Sequence, residues 1–279
     1  MHIISNRSRK KRLLTSSLPF LDASASLKTW VVFSHPNHEL AIYGLLQRLQ
    51  PNLIYLTDGG GPDRVDQTRE GLGAIGLEKC AHFLNYTEQS FYDALVQVDA
   101  DFFRKVAQGV SDHLRGTPGQ VFCDAVEFYN PVHDLSLPIT VSALKQKPSV
   151  PIFEVPLIHQ CGEEPDLYRI QRAPRSREAI QCLTKLEAAE LAAKRHAREE
   201  IYGLLRAQLG APLSNLSDAE LSIESLVPAE MARAYRADDC ILRYERRARL
   251  LRESGVIASE ILHEKNFVPI ARALTAPEA

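Results

Sequence analysis

Apolar positions along the chain alternate between two periods. The run Val31-Val32-Phe33 ends at Ser34-His35-Pro36-Asn37-His38, and apolar residues then return at Leu40, Ile42, Leu45 and Leu46 with helical spacing. This predicts a strand over 28–34 and a helix over 38–49, followed by a strand over 52–56 and a glycine-rich turn over 58–62. A helix opens at Arg64, a third strand covers 82–84, and one or two helices fill 91–114, where Phe102, Phe103, Val106 and Val110 recur as core positions. Strands are expected again at 120–124 and at 152–155, the latter between Pro151 and Pro156. Strands alternating with helices imply a mainly parallel sheet covered on both faces.

Beyond residue 175 the pattern turns helical. A long helix is expected over 176–209, stopping at Gly210 and Pro212. Ser217-Asp218-Ala219-Glu220 has the form of a capping box. A further helix over 238–254 carries Arg243, Arg246, Arg247, Arg249 and Arg252, which reads as a solvated face or as a surface for an anionic group.

Chemistry-bearing residues gather at two strand ends, where open α/β sheets bind their ligands. His35 and His38 follow the first strand, and Pro36 biases His35 toward an extended conformation that turns both rings out of the strand end. Two histidines three apart also fit a helix cap beside a solvent-facing ring. The fourth strand, however, leads into Glu127-Phe128-Tyr129-Asn130-Pro131-Val132-His133-Asp134. Three neutral imidazoles with one open position form a set that zinc uses in catalytic sites.

His35-Pro36-Asn37-His38-Glu39 resembles the His-Pro-Asp-Asp-Glu motif of the PIG-L/LmbE-like zinc-dependent N-deacetylases, and Asn130-Pro131-Val132-His133 resembles their His-Pro-Asp-His. Thr57-Asp58-Gly59 is similar to the family's Thr-Asp-Gly turn, and Arg64-Val65-Asp66-Gln67 before Leu77 to its Arg-x-x-Glu helix. The order and spacing agree over about residues 28–160. The resemblance implies a Rossmann-like sheet and a metal held by His35, His38 and His133, with zinc expected and iron or another divalent metal as alternatives. It implies substrate contacts from Arg64, and Asp58 and Tyr129 are candidates beside it.

Two departures bear on the chemistry. Asn37 stands where the family has its general base, and an amide does not take a proton at neutral pH. Asn130 replaces a histidine that supports the tetrahedral intermediate, a role an amide donor retains in weaker form. Glu39, Asp134 and Glu127 are the candidate replacement bases, although Glu39 and Asp134 equally suit orienting the imidazoles. The expected activity is hydrolysis of an N-acyl bond in a small amine, amino sugar or natural-product intermediate. The alternatives are altered or redox-metal chemistry on the same scaffold, or a degenerate member that only binds.

Composition narrows the rest. With 279 residues, 45% hydrophobic and 24% charged, the chain is long enough for one sizeable core plus an appendage, and its net charge of -2 gives no general attraction to nucleic acid. The glycine turn lacks a Gly-Lys-Ser/Thr continuation, so a nucleotide cradle is not expected. Cys80, Cys123, Cys161, Cys182 and Cys240 form no Cys-x-x-Cys pair and suit a reducing, cytoplasmic setting. His113 is expected at the surface, and His159 with Cys161, Glu163 and Glu164 has no established ligand spacing. The hydroxyl-rich stretch after Arg7–Arg12 reads as a basic leader over 1–27. An α/β domain is expected over 28–210 and a helical extension over 211–279, with no membrane span, a small-molecule substrate and an open oligomeric state.

Overall fold

The computed structural model describes residues 28–114, 116–160, 168–237 and 242–276. The leader 1–27, Cys161, Glu163, Glu164 and Cys240 lie outside the described residues.

Five strands form the parallel part of the main sheet: β1 (Thr29–Phe33), β2 (Asn52–Thr57), β3 (Ala81–Tyr86), β4 (Gln120–Asp124) and β5 (Ile152–Val155). Their spatial order is β3-β2-β1-β4-β5. Val31 lies between Leu53 and Phe122, so β1 and β4 are adjacent although about ninety residues apart in sequence. Alternate side chains of β1 feed different cores. Trp30 and Val32 join the cluster around Phe91, Phe103 and Ile139, whereas Val31 and Phe33 join that around Tyr43, Tyr55 and Tyr202. Both faces are therefore covered, and the mixed α/β architecture with a mostly parallel central sheet agrees with the sequence expectation.

The helices that frame the parallel sheet are α1 (Tyr43–Leu49), α2 (Pro62–Ala74), α3 (Glu88–Gln97), α4 (Ala100–His113) and α5 (Ser136–Ala143). The helix expected over 38–49 begins as a 3-10 turn, His38–Ile42, and becomes α-helical only at Tyr43. Asn37, at φ 75°, is the turning point between β1 and that turn. His113, at the end of α4, is not isolated: its ring lies 4.7 Å from that of His82.

The region expected as one helix over 176–209 is broken. A 3-10 turn (Arg175–Ile180) leads to β8 (Cys182–Lys185), then α6 (Ala188–His196), a π turn (Ala197–Ile201) and α7 (Gly203–Leu209). The strand has a physical signature that helix-forming composition obscured, since Cys182 and Thr184 are buried while Leu183 and Lys185 are exposed. The tail also contributes a strand. β9 (Ile223–Pro228) pairs antiparallel with β5 on one side and β8 on the other, extending the sheet to seven strands. A short hairpin, β6 (Ile158–Gln160) with β7 (Tyr168–Ile170), stands apart from it.

Beyond β9 the chain forms α8 (Arg243–Glu253) and α9 (Val268–Thr275). The expected capping box is present, with Ser217 and Glu220 bonding each other's backbone N–H. Lys194 and Glu224 form a fully buried ion pair at 3.0 Å, and Glu224 also accepts the N–H groups of Gly44 (2.9 Å) and Leu45 (2.7 Å). One carboxylate thus satisfies the start of α1 while tying α6 and β9 to it. Among the described residues no helix is long and apolar enough to cross a membrane.

Candidate functional site

The order β3-β2-β1-β4-β5 reverses direction between β1 and β4, and the crevice beyond the carboxyl ends of those two strands is where such sheets accommodate ligands. Both histidine motifs leave from it. His35 and His38 follow β1, and His133 sits on a one-turn helix, Pro131–Asp134, that follows β4. Their rings are mutual neighbours, with centroids 5.2 Å apart for His35 and His38, 4.9 Å for His35 and His133, and 4.5 Å for His38 and His133. All three side chains are buried.

Hydrogen bonds set which nitrogen of the His35 and His38 rings is left open. Thr57 gives its hydroxyl proton to Ser34 O (2.8 Å), so at 2.7 Å it accepts from His35 Nδ1, and Nε2 keeps its lone pair. That Nε2 is buried with no hydrogen-bond partner. His38 Nδ1 lies 3.0 Å from Asp124 Oδ2, which also accepts the N–H (2.7 Å) and hydroxyl (2.5 Å) of Ser34. His38 Nε2 is left as its open nitrogen. His133 Nδ1 is likewise buried and unpartnered. Burial holds the His35 imidazole well below the usual histidine value, aided by His133, His38 and Arg64, and burial with His38 and Arg64 does the same for His133. Neutral rings with free lone pairs are metal ligands by type. Among the described residues no group of three or more His, Cys, Asp or Glu forms a preformed cage for a metal ion.

These rings open into a cavity of about 460 Å³. Asn37, Arg64, Glu88 and Asn130 line its polar end, while Leu157, Ile158, Ile170, Leu204 and Leu205 contribute apolar wall. Glu88, at the start of α3, places Oε1 3.4 Å from His35 Nε2 and accepts from the Tyr92 hydroxyl at 3.0 Å. Asn130 Oδ1 caps the one-turn helix through Val132 N–H (2.9 Å) and receives Tyr92 O–H (3.3 Å). Its amide Nδ2 is the group left to donate elsewhere.

Asn37 is fully buried, and each of its polar side-chain atoms is engaged. Nδ2 donates to Arg64 O and Thr68 Oγ1, both at 3.1 Å, and Oδ1 accepts Arg64 Nε at 3.2 Å. Arg64 also donates to Gly59 O (3.0 Å), so the glycine turn and the start of α2 are locked onto the β1 loop. A Cβ at Gly59 would stand 3.0 Å from Pro36, and its φ of 63° favours glycine independently.

Several sequence candidates lie off the cavity wall. Glu39 is buried beside it, accepting from Thr68 Oγ1 (2.6 Å) and Tyr55 OH (3.1 Å), and burial raises its carboxyl pKa. Asp134 accepts the N–H groups of Glu127 (2.8 Å) and Phe128, which holds Phe128 at φ 58° and fixes the β4 loop. Glu127 accepts the N–H groups of Leu157 and Ile158. Asp58 accepts those of Gly60 and Glu88, both at 3.0 Å, and Tyr129 faces a neighbouring cavity. The sequence reading gave no role to Thr57, Glu88 or Asp124. Asp124 carried a usable signal, being a charged residue that closes a buried strand at the sheet's reversal point. Nothing local marks Glu88.

No family model matches the chain, and no curated protein matches it either. Among solved structures it resembles the A40926 pseudoaglycone deacetylase Dbv21, with 9% identity and a TM-score of 0.51, covering 72% of this chain and 96% of that one. A lower TM-score is found with a deacetylase of the teicoplanin biosynthesis pathway (11% identity, TM-score 0.47, 72% and 97% covered). The N,N'-diacetylchitobiose deacetylase of Pyrococcus horikoshii covers more of this chain at a lower TM-score (13% identity, TM-score 0.44, 81% and 93% covered). At such identities the likeness is one of fold.

Proposed function

We propose that the protein is a metal-dependent hydrolase that cleaves the N-acyl bond of a small amine, amino sugar or natural-product intermediate, with His35, His38 and His133 as metal ligands. The observation that carries this reading is the meeting of three buried rings, two with orphaned nitrogens, at the reversal of strand order between β1 and β4. The fit to a metal rests on donor type and on the partners that orient the rings: Thr57 behind His35 and Asp124 behind His38. The fold likeness to a deacetylase is consistent with it. Zinc suits neutral imidazoles, and when bound it supplies an acidified water and polarises the acyl carbonyl.

The chain's own groups divide the remaining work. With Asn37 committed to Arg64 and Thr68, Glu88 is the carboxylate nearest the inward face of His35, and its Oε1 receives the proton of the attacking water. Asn130 Nδ2 donates to the oxygen on which charge develops. Arg64 adds positive charge at the same end of the cavity, while Leu157, Ile158, Leu204 and Leu205 exclude water from the acyl side. The test combines metal analysis of purified protein with acetate release from N-acetylated amines and amino sugars. About one zinc per chain, lost in His38→Ala and His133→Ala together with activity, is the expected result. Full metal content in both variants would remove the ligand assignment.

A further inference from the structure

A second cavity, of about 770 Å³, adjoins the first, and Glu88, Asn130 and Gln208 line both. Its far wall comes from α8. Arg243 and Arg247 are four residues apart, which puts them on one face of that helix, and both line the cavity. Arg243 is anchored by its backbone N–H to Phe128 O (2.8 Å) and by Nε to Tyr168 OH (3.1 Å), which leaves its terminal nitrogens for another acceptor. Arg247 makes no ion pair among the described residues, whereas Arg252 on the same helix is paired with Glu260. Tyr92, Tyr129 and Tyr244 supply flat surface between the helices, and Leu251 and Ile261 close the floor.

The carboxylates facing this space are Glu88 and Asp93, both on α3 across from the arginines. Glu88 accepts from Tyr92 and Asp93 from Gln89 Nε2 (2.8 Å), and among the described residues neither forms an ion pair with Arg243 or Arg247. The cavity therefore carries its carboxylates on α3 and unspent guanidinium donors on α8.

We propose that this second cavity is a binding subsite for an anionic group, a carboxylate or phosphate ester beside an aromatic or aliphatic body, carried by the part of the substrate remote from the scissile amide. Two guanidiniums present forked donors to either anion. The aromatic side chains flank the body of the ligand at little entropic cost. The subsite belongs to the substrate of the hydrolase reading, but anion binding itself needs neither metal nor turnover.

The test is calorimetric titration of the full-length protein with phenyl phosphate, phenylacetate and benzyl alcohol. At least one anion is expected to bind about tenfold more tightly than the alcohol, an advantage that added salt weakens. The better anion identifies the group. R243A/R247A abolishes the advantage, R243K/R247K keeps part of it, and R246A/R249A, outside the cavity, leaves it intact. The lysine pair stands in if the alanine pair does not fold. Equal binding of alcohol and anions, no anion binding, or full retention in R243A/R247A or its stand-in overturns the proposal. In His38→Ala the anions still bind, so loss of the hydrolase reading and loss of the subsite are separately visible.

Discussion

His38 Nδ1 and Asp124 Oδ2 meet at 3.0 Å, joining the loop that leaves β1 to the last residue of β4. Because the same carboxylate oxygen accepts both Ser34 bonds, the end of β1 and the ring of His38 are fixed by one buried group. Asp124→Asn retains one acceptor oxygen but no longer balances a polarised imidazole. Metal affinity is expected to fall roughly ten- to a hundredfold, with the fold retained. Competition with a chromophoric chelator measures it, and unchanged affinity would remove Asp124 from the site.

Glu88 stands next to His35 Nε2, and under the proposed function it acts either as the proton acceptor or as a further ligand. Glu88→Gln keeps the shape and loses the base. Turnover is expected to drop about a hundredfold or more while metal content stays at the wild-type level. Metal loss in that variant would make Glu88 a ligand instead.

Asn37→Asp restores the acidic residue of the resembled family, yet the site is built for an amide. Its Nδ2 donates to Arg64 O, and Thr68 has given its own proton to Glu39, so an aspartate would keep the Arg64 Nε bond on one oxygen and point the other at two acceptors. Urea denaturation is expected to show a loss of about 1–3 kcal/mol, with no gain in amide hydrolysis. A gain in rate would mean that the side chain at position 37 turns toward the substrate.

Much of this organisation was legible in the residues. The parallel strands followed from apolar runs bounded by turn residues, and the two histidine motifs lay at strand ends that the topology makes neighbours. What escaped were features decided across the sheet. Cys182–Lys185 and Ile223–Pro228 are short strands whose pairing exists only because β5 offers a free edge. Glu39 and Asp134 look catalytic beside the histidines, but their hydrogen bonds run into the interior, which only the loop conformations at Asn37 and Phe128 determine. Glu88 reaches the site because Asp58 holds its backbone N–H, a contact thirty residues away in sequence.

The buried pair Lys194–Glu224 gives the C-terminal part its grip on α1. Lys194→Met leaves the Glu224 carboxylate in the interior with the Gly44 and Leu45 N–H groups and the more distant charges of Arg48 and Arg172 to answer it. The expected cost is about 3–5 kcal/mol, and replacing both partners by apolar residues of similar volume recovers part of it. The urea midpoints of the single and double variants measure the difference. A single variant as stable as the wild type would show that the pair holds nothing together.

Glu127 makes stability fall as pH rises. Burial is the main cause that lifts its carboxyl from 4.5 to about 8, against the opposing hydrogen bonds from Ile158 and Leu157. Asp134 is raised in the same sense, from 3.8 to about 7. Between those limits the folded protein holds protons that the unfolded chain has released, so the contribution is complete below about pH 4.5 and lost as pH climbs through 8. Glu127→Gln keeps an oxygen for the Leu157 and Ile158 N–H groups and carries no titrating proton. Its unfolding free energy should therefore decline less steeply than the wild type's from pH 5 to 8, by up to about 1.4 kcal/mol per pH unit where Glu127 alone differs, with Asp134 supplying the residual slope. Urea titrations at four pH values across that range decide it: parallel slopes for both proteins would mean that Glu127 is ionised in the folded state.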